Sequence, residues 1–128
     1  MIIEQVVAAR LLAWSAIAAL VGTRVEPVVI HSSSMYDTIV YRRLYGQRDY
    51  NLTGAEGVAT VQLELMSWSQ EYASARTLAD EIRKALDAWS SAADDVEIAS
   101  VTDGADTWEP DLEMYGCPVN LTIKYQEA

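Results

Sequence analysis

Apolar and polar residues alternate along two long stretches of the chain, a pattern typical of β-strands. The first stretch begins at Val58 and the second near Val119. The apolar positions are Val61, Leu63 and Leu65 in the first stretch and Val119, Leu121, Ile123 and Tyr125 in the second. Because successive side chains of a strand point to opposite faces, each strand has one buried face and one face left for water or a partner. The pattern therefore predicts an antiparallel sheet.

Three further segments are predicted to complete a sheet of four to five strands. They are Val25–Ile30, Ile39–Gln47 and Val96–Val101. Proline cannot donate a backbone hydrogen bond, so Pro27 places the first of these segments at a sheet edge. After the second segment we expect a long turn over Asp49–Gly57, in which Gly54 and Gly57 are free to take positive φ.

Two segments with apolar residues at spacings of three and four predict helices. Ile3–Leu20 is apolar most of the way round, so we expect one buried helix there, with Gly22 as its C-cap. Gln70–Trp89 carries a single apolar stripe, made of Tyr72, Ala75, Ala79, Ile82, Leu86 and Trp89. With both helices on one face of the sheet, the predicted fold class is α+β with two layers and a mostly antiparallel sheet, in a single domain over residues 1–128.

The net charge of −10 is concentrated in the last third of the chain. Residues 91–128 hold one basic residue, Lys124, against nine acidic ones, a sum of −8. Nucleic-acid affinity comes chiefly from lysine and arginine, so tight DNA binding is disfavoured. An acidic face is compatible with DNA that slides past without being held, with docking on a basic protein, or with a surface that only keeps the protein soluble.

The apolar run Leu11–Val21 raises the question of a membrane span or a signal peptide. It is too short to cross a bilayer, and no small-residue cleavage site followed by a polar segment is present. We therefore expect neither a membrane partner nor secretion. The single cysteine, Cys117, rules out an internal disulfide and is interpreted as a small buried residue.

The chain shows little of the chemistry that enzymes and metal sites need. His31, Ser32–Ser34 and Asp37 contain the residue types of a hydrolase triad, but no nucleophile-elbow pattern surrounds these serines. One histidine and one cysteine cannot build the usual zinc site. The predicted loop Thr102–Glu113 has carboxylates for calcium, but their spacing does not match the EF-hand calcium loop, and a solvated acidic loop is the favoured interpretation. We expect no enzyme activity, no cofactor and no metal.

Arg42, Arg43 and Arg48 form the basic cluster of the sequence. On a regular strand Arg42 and Arg48 point one way and Arg43 the other, so the three do not make one phosphate clamp. We expect them to pair with acidic groups of a neighbouring subunit. The alternative is a solvated sheet edge.

Short motifs in a fixed order carry a family resemblance over essentially the whole chain. They are the helix ending in Gly22, Arg24-Val25 with Pro27, Ile39-Val40-Tyr41, Arg48-Asp49-Tyr50, Gly57, Trp68, Tyr72-Ala73, Ala75-Arg76, Leu78-Ala79, Trp108-Glu109-Pro110, Leu112 and Tyr115. The chain resembles the small tail-completion, or tail-terminator, proteins of long-tailed phages, prophages and gene-transfer particles. It departs from the family at Asp37-Thr38, where a proline usually precedes the Ile-Val-Tyr strand.

The resemblance implies a structural assembly role without catalysis. Such proteins form a six-fold ring on the tail tube, stop tube polymerisation and join the head connector. The implied partners are other copies of the chain, the major tail tube protein and a head-closure or connector protein, with DNA passing through unbound. The implied location is the tail–head junction of the virion, after synthesis in the host cytoplasm.

Two groups of residues are candidates for these contacts. The expected subunit or tube interface comprises Arg42, Arg43, Arg48, Asp49, Tyr50, Asn51, Leu52 and Glu56. The expected acidic surface or channel lining comprises Asp103, Asp106, Glu109, Asp111 and Glu113. Alternative functions are a head-closure or connector neck protein, a small ligand-binding or enzymatic α+β domain, and a toxin–antitoxin or regulatory module, the last disfavoured by the charge.

Overall fold

A mostly antiparallel sheet with helices on one face forms the fold. The computed structural model describes residues 2–28, 36–51 and 54–127, and the side chains of these residues except 49–51 and 54–56. The elements are α1 (Ile3–Leu12), α2 (Ser15–Val21), β1 (Val25–Pro27), β2 (Thr38–Asn51), β3 (Gly54–Ser69), α3 (Tyr72–Leu86), β4 (Val96–Asp103), β5 (Thr107–Glu109) and β6 (Met114–Gln126).

The strand order is β1-β2-β3-β6-β4, and the short β5 pairs with the start of β6. β1 runs parallel to β2, and the other pairs are antiparallel. The predicted α+β class and antiparallel sheet are confirmed, whereas the counts differ. Within the described part of the chain there are six strands and three helices. The additional strand is β5, which lies in the segment predicted to be a loop, and the additional helix arises from a break in the first one.

The predicted single helix Ile3–Leu20 is wrong. α1 and α2 are bent by 91° at a break around Trp14, whose backbone is extended (φ −85°, ψ 112°). A straight helix that is apolar all round has no way to bury every side against one sheet. The bend lets the apolar residues of both helices enter the same core. These residues are Ile3, Val7 and Leu11 of α1 and Ile17 and Val21 of α2. Gly22 ends α2 at φ +60°, which confirms the predicted C-cap.

No single helix in the described chain is long and apolar enough to cross a membrane. Only α1 and α2 taken together reach the required length and composition, and these two helices are the bent pair. Their inward residues, including Ile3, Val7, Leu11 and Ile17, are fully or almost fully buried against the sheet and α3.

One face of the sheet and the three helices enclose the core. The inward positions predicted from alternation are all buried, and so is Cys117. β3 and β6 bring these rows together in register, with Leu63 opposite Leu121 and Val61 opposite Ile123. α3 is shorter than the predicted Gln70–Trp89 and presents the predicted stripe from Ala75 to Leu86, while Trp89 is buried beyond its end. Tyr72 is 44% exposed, because as the first residue of α3 it lies at the rim of the helical layer.

The predicted edge strand and the predicted long turn have different outcomes. β1 lies at the sheet edge as expected, although it is assigned only over Val25–Pro27. The turn expected over Asp49–Gly57 is wrong, because β2 continues to Asn51 and β3 begins at Gly54. A register shift between Arg48 and Tyr50 accommodates two extra residues in β3, so the strands remain paired. Gly57 has φ +79°, as its predicted freedom allows.

Candidate assembly surfaces

The β2–β3 hairpin projects beyond the rest of the sheet. β3 pairs with β6 from Val58 onward, so the part of the hairpin beyond this residue is a two-stranded ribbon. On the other side, β1 covers only Ile39–Tyr41 of β2. From residue 42 to residue 51, no described strand pairs with the outer edge of β2. An open edge presents backbone donors and acceptors that can pair with another chain.

The three arginines of β2 have acidic partners within their own chain. Arg42 contacts Glu64 at 2.9 Å, an Nε–Oε1 distance. Arg43 contacts Glu4 of α1 at 2.6 Å, and Arg48 contacts Glu127 at 2.8 Å. The structure therefore disperses the basic cluster of the sequence into separate ion pairs.

The predicted orientation of these arginines is wrong. A bulge at Leu44 inserts one residue into β2, which reverses the alternation beyond it. Arg43 lies opposite Leu63 and Arg48 lies opposite Ala59, and both partners belong to the buried row. Arg48 thus shares a sheet face with Arg43, not with Arg42.

Four other predicted interface residues lie near the hairpin tip by their backbone. Asp49, Tyr50 and Asn51 belong to β2 and Glu56 to β3 by their backbone, but their side chains are outside the described part, as is Leu52 altogether. The serine-containing segment around His31 also lies outside the described residues.

Sequence reasoning missed two exposed apolar residues in the middle of β2. Leu44 is 45% exposed and Tyr45 is 50% exposed on the open edge. The signal was present, because two adjacent apolar residues interrupt the alternation where the bulge occurs.

The five predicted acidic residues lie between the end of β4 and the start of β6. Arg76 of α3 draws two of them together, with distances of 2.9 Å to Asp106 and 3.7 Å to Asp103, and it also contacts Asp80 at 3.5 Å. Glu109 lies on β5 and accepts the backbone N–H of Asp111 at 3.1 Å. Glu113 takes φ +54° just before β6. Among the described residues, no three His, Cys, Asp or Glu side chains are placed to hold a metal ion.

Asp106 also accepts a hydrogen bond from the hydroxyl of Tyr72. This bond lowers the pKa of the Asp106 carboxyl and raises the pKa of the Tyr72 phenol. Nearby, burial is the main reason that the pKa of the Cys117 thiol rises to about 11. Cys117 is therefore a neutral thiol at physiological pH and not an activated nucleophile.

Three aromatic rings from three elements meet at this end of the molecule. Trp108 of β5 packs on Tyr115 of β6 with ring centroids 4.7 Å apart, and Tyr72 of α3 meets Tyr115 edge-on at 5.6 Å. Trp108 is 46% exposed. We call Tyr72, Trp108 and Tyr115 the aromatic patch. Sequence reasoning used these residues as family motifs or core positions and missed their convergence, since it depends on the pairing of β5 with β6.

A family model described as "Tail completion protein gp17" matches residues 5–126, which is nearly the whole chain. The chain belongs to the tail completion protein gp17 family. It is thus a phage tail protein with a structural role in virion assembly, as the resemblance of its motifs implied.

Comparison with solved structures supports the fold of this tail completion protein. A chain in the virion of a native gene transfer agent (GTA) particle superimposes with a TM-score of 0.78 at 16% sequence identity. The alignment covers 96% of the present chain and 93% of that chain. At this identity the likeness shows a shared fold. A search of curated proteins found no match.

The tail completion protein also has a groove between α1 and the segment after α3. Arg10 lies within 5.5 Å of the Trp14 ring centroid and 5.4 Å of the Trp89 ring centroid, and its Nε donates to the carbonyl oxygen of Ala85 at 3.0 Å. The guanidinium therefore connects α1 to α3 and has a structural role.

Proposed function

We propose that this tail completion protein forms a ring on the end of the tail tube, ends tube polymerisation and provides the surface that joins the head. The outer edge of β2 on the projecting hairpin, with which no described strand pairs beyond Tyr41, is the observation that carries this proposal. An edge of this length in a protein with a structural role in virion assembly is suited to contact between copies.

The opposite edge of the sheet offers a complementary surface. Backbone hydrogen bonds from residues 88–91 cover β4 over Val96 and Ala99. Along residues 100–103, no described strand pairs with the outer edge of β4. A contact that joins the β2 edge of one copy to the β4 edge of the next uses two different surfaces, and such a contact closes into a ring when the rotation per subunit allows it.

Side chains along the β2 edge support the same contact. Burial of apolar surface is the main driving force for protein–protein association. Leu44 and Tyr45 would bury exposed apolar surface in such a contact. The side chains of Arg42 and Arg43 remain 54% and 41% exposed despite their ion pairs. A guanidinium group has several N–H donors, so each arginine can also donate hydrogen bonds to a second carboxylate, from a neighbouring copy.

The proposed ring has one side for the tube and one for the head-closure or connector protein, which places it at the tail–head junction after assembly from the host cytoplasm. The net charge of −10 supports DNA passage without binding, because an acidic surface repels phosphate.

Electron microscopy of particles made without this protein tests the proposal. We expect tails of abnormal length, or tails without heads, because tube growth would have no terminator. Tails of normal length attached to leaking heads would contradict tube termination and would support the neck alternative. Complementation with the intact chain controls for effects on neighbouring genes.

A further inference from the structure

The aromatic patch has the properties of a preformed binding surface. Tyr72 and Trp108 keep nearly half of their surface exposed although both pack on Tyr115. Tryptophan and tyrosine are enriched among residues that dominate binding energy at interfaces. The rings hold one another in place, so a partner would order few side chains on binding.

The surroundings of the patch are acidic. Asp106 accepts the hydroxyl hydrogen bond of Tyr72, and Asp80, Asp103 and Asp106 together surround the single guanidinium of Arg76. Three carboxylates and one guanidinium give this cluster a net charge of −2 at the edge of the patch. Glu109 follows Trp108 directly in β5. Aromatic faces beside carboxylates favour arginine and lysine, which gain both cation–π and ionic contacts.

The patch lies far from the hairpin tip. Tyr115 pairs with Ser69 at one end of the β3–β6 ladder, and Gln126 pairs with Val58 at the other. At about 3.3 Å per residue these two ends are roughly 35 Å apart. A partner on the patch would therefore leave the tip of the projecting hairpin free.

We infer that the aromatic patch docks a segment of a different virion protein that presents arginine or lysine side chains to Tyr72, Trp108 and the adjacent carboxylates. A second copy of this chain fits less well, since it also carries a net charge of −10. Nucleic acid fits less well because carboxylates repel phosphate. This inference rests on the virion assembly role and does not require the ring.

Photo-crosslinking in assembled particles tests the partner. The photoreactive residue p-benzoylphenylalanine replaces Trp108 in one variant and Leu44 in a second. From position 108 we expect a cross-link to another virion protein, within a stretch of net positive charge. A cross-link only to a second copy, to an acidic or neutral stretch, or to no protein would overturn the inference. Position 44 reports on contact between copies, so the ring proposal and this inference fail separately.

A binding measurement on the purified protein tests the chemistry. The probes are two short peptides of equal length, one alternating arginine with glycine and one alternating glutamate with glycine. We expect the arginine peptide to shift the indole N–H resonance of Trp108 and to bind about ten-fold more weakly to Trp108→Ala, while Trp108→Phe retains most of the affinity. Equal binding of both peptides, no binding to the wild type, or undiminished binding to Trp108→Ala would each overturn it.

Discussion

The indole N–H of Trp14 donates a hydrogen bond of 3.0 Å to Oε2 of Glu81, across 67 positions of sequence. Trp14 lies at the break between α1 and α2, and Glu81 lies on α3. The bond therefore connects the bend of the N-terminal helices to the helix that packs on the centre of the sheet. Glu81 also contacts Lys84 at 3.2 Å, and the Trp14 bond is the leading reason that the pKa of Glu81 is lowered.

This bond predicts a pH dependence of stability. A carboxyl with a lowered folded-state pKa stabilises the fold above its unfolded pKa, and this stabilisation is lost as pH falls through the folded pKa. Trp14→Phe removes the hydrogen-bond donor. The variant should therefore lose less stability than the wild type between neutral and acidic pH. The measurement is the urea midpoint of wild type and variant over this range. Glu81→Gln provides the control, because an amide does not titrate. Parallel curves for Trp14→Phe and the wild type would contradict the role of the bond.

Glycine at position 116 is predicted to be required by the ring of Trp68. A Cβ at position 116 would lie 2.8 Å from Cζ3 of Trp68 and 3.0 Å from Sδ of Met66. Gly116→Ala should therefore lower the free energy of unfolding by about 1–3 kcal/mol, the usual effect of overpacking. Gly46→Ala is the matched control in a strand, since its Cβ would meet nothing closer than 3.6 Å. Equal urea denaturation curves for the two variants would show that Trp68 moves aside freely.

The hairpin tip is predicted to serve assembly and not folding. Deletion of residues 51–56 removes the end of a ribbon that lies beyond the β3–β6 ladder. The variant should remain a folded monomer by circular dichroism and by mass in solution, yet it should fail in ring formation or in tail joining. Leu44→Lys with Tyr45→Lys should have a similar effect through the open edge, and Ile2→Lys, at another exposed apolar position, is the control. Normal-length, infectious particles from the deletion variant would exclude this role.

The hydroxyl of Tyr72 is predicted to control the ionisation of Asp106. Because this hydrogen bond is the largest cause of the lowered pKa of Asp106, Tyr72→Phe should move that pKa back toward the usual range for aspartate. Carbon-13 NMR titration of the aspartate side chains measures the change directly. The wild-type protein, titrated under the same conditions, provides the reference. An unchanged pKa for Asp106 would contradict the role of the Tyr72 hydroxyl.

The strand positions were the most predictable part of the fold, because their signal is local. Val61, Leu63 and Leu65 alternate with polar residues, and this period by itself assigns them to one face. The first helix was mispredicted at Trp14 because composition does not show where an all-apolar helix must bend to reach a core. The turn at residues 49–57 was mispredicted because cross-strand pairing overrode its glycine signals.

The candidate site was less predictable, since it depends on contacts between distant segments. Arg42, Arg43 and Arg48 suggested a basic cluster, but Glu64, Glu4 and Glu127 come from three other parts of the chain to pair with them. One inserted residue at Leu44 was enough to change the face on which Arg48 lies. Its trace in the sequence is the adjacent pair Leu44-Tyr45, which interrupts the alternation.

By itself, the sequence determined the α+β class, the inward rows of β3 and β6, the stripe of α3 and, through the order of its motifs, the tail completion family. These properties follow from the short period of apolar residues in strands and helices and from the spacing of motifs along the sequence. Only the tertiary structure decided that no described strand pairs with the outer edge of β2 beyond Tyr41, that each arginine of β2 has a partner, and that Tyr72, Trp108 and Tyr115 form one exposed patch. The reason is physical: edges, ion pairs and ring contacts between separate elements exist only once the strand order and register bring those elements together.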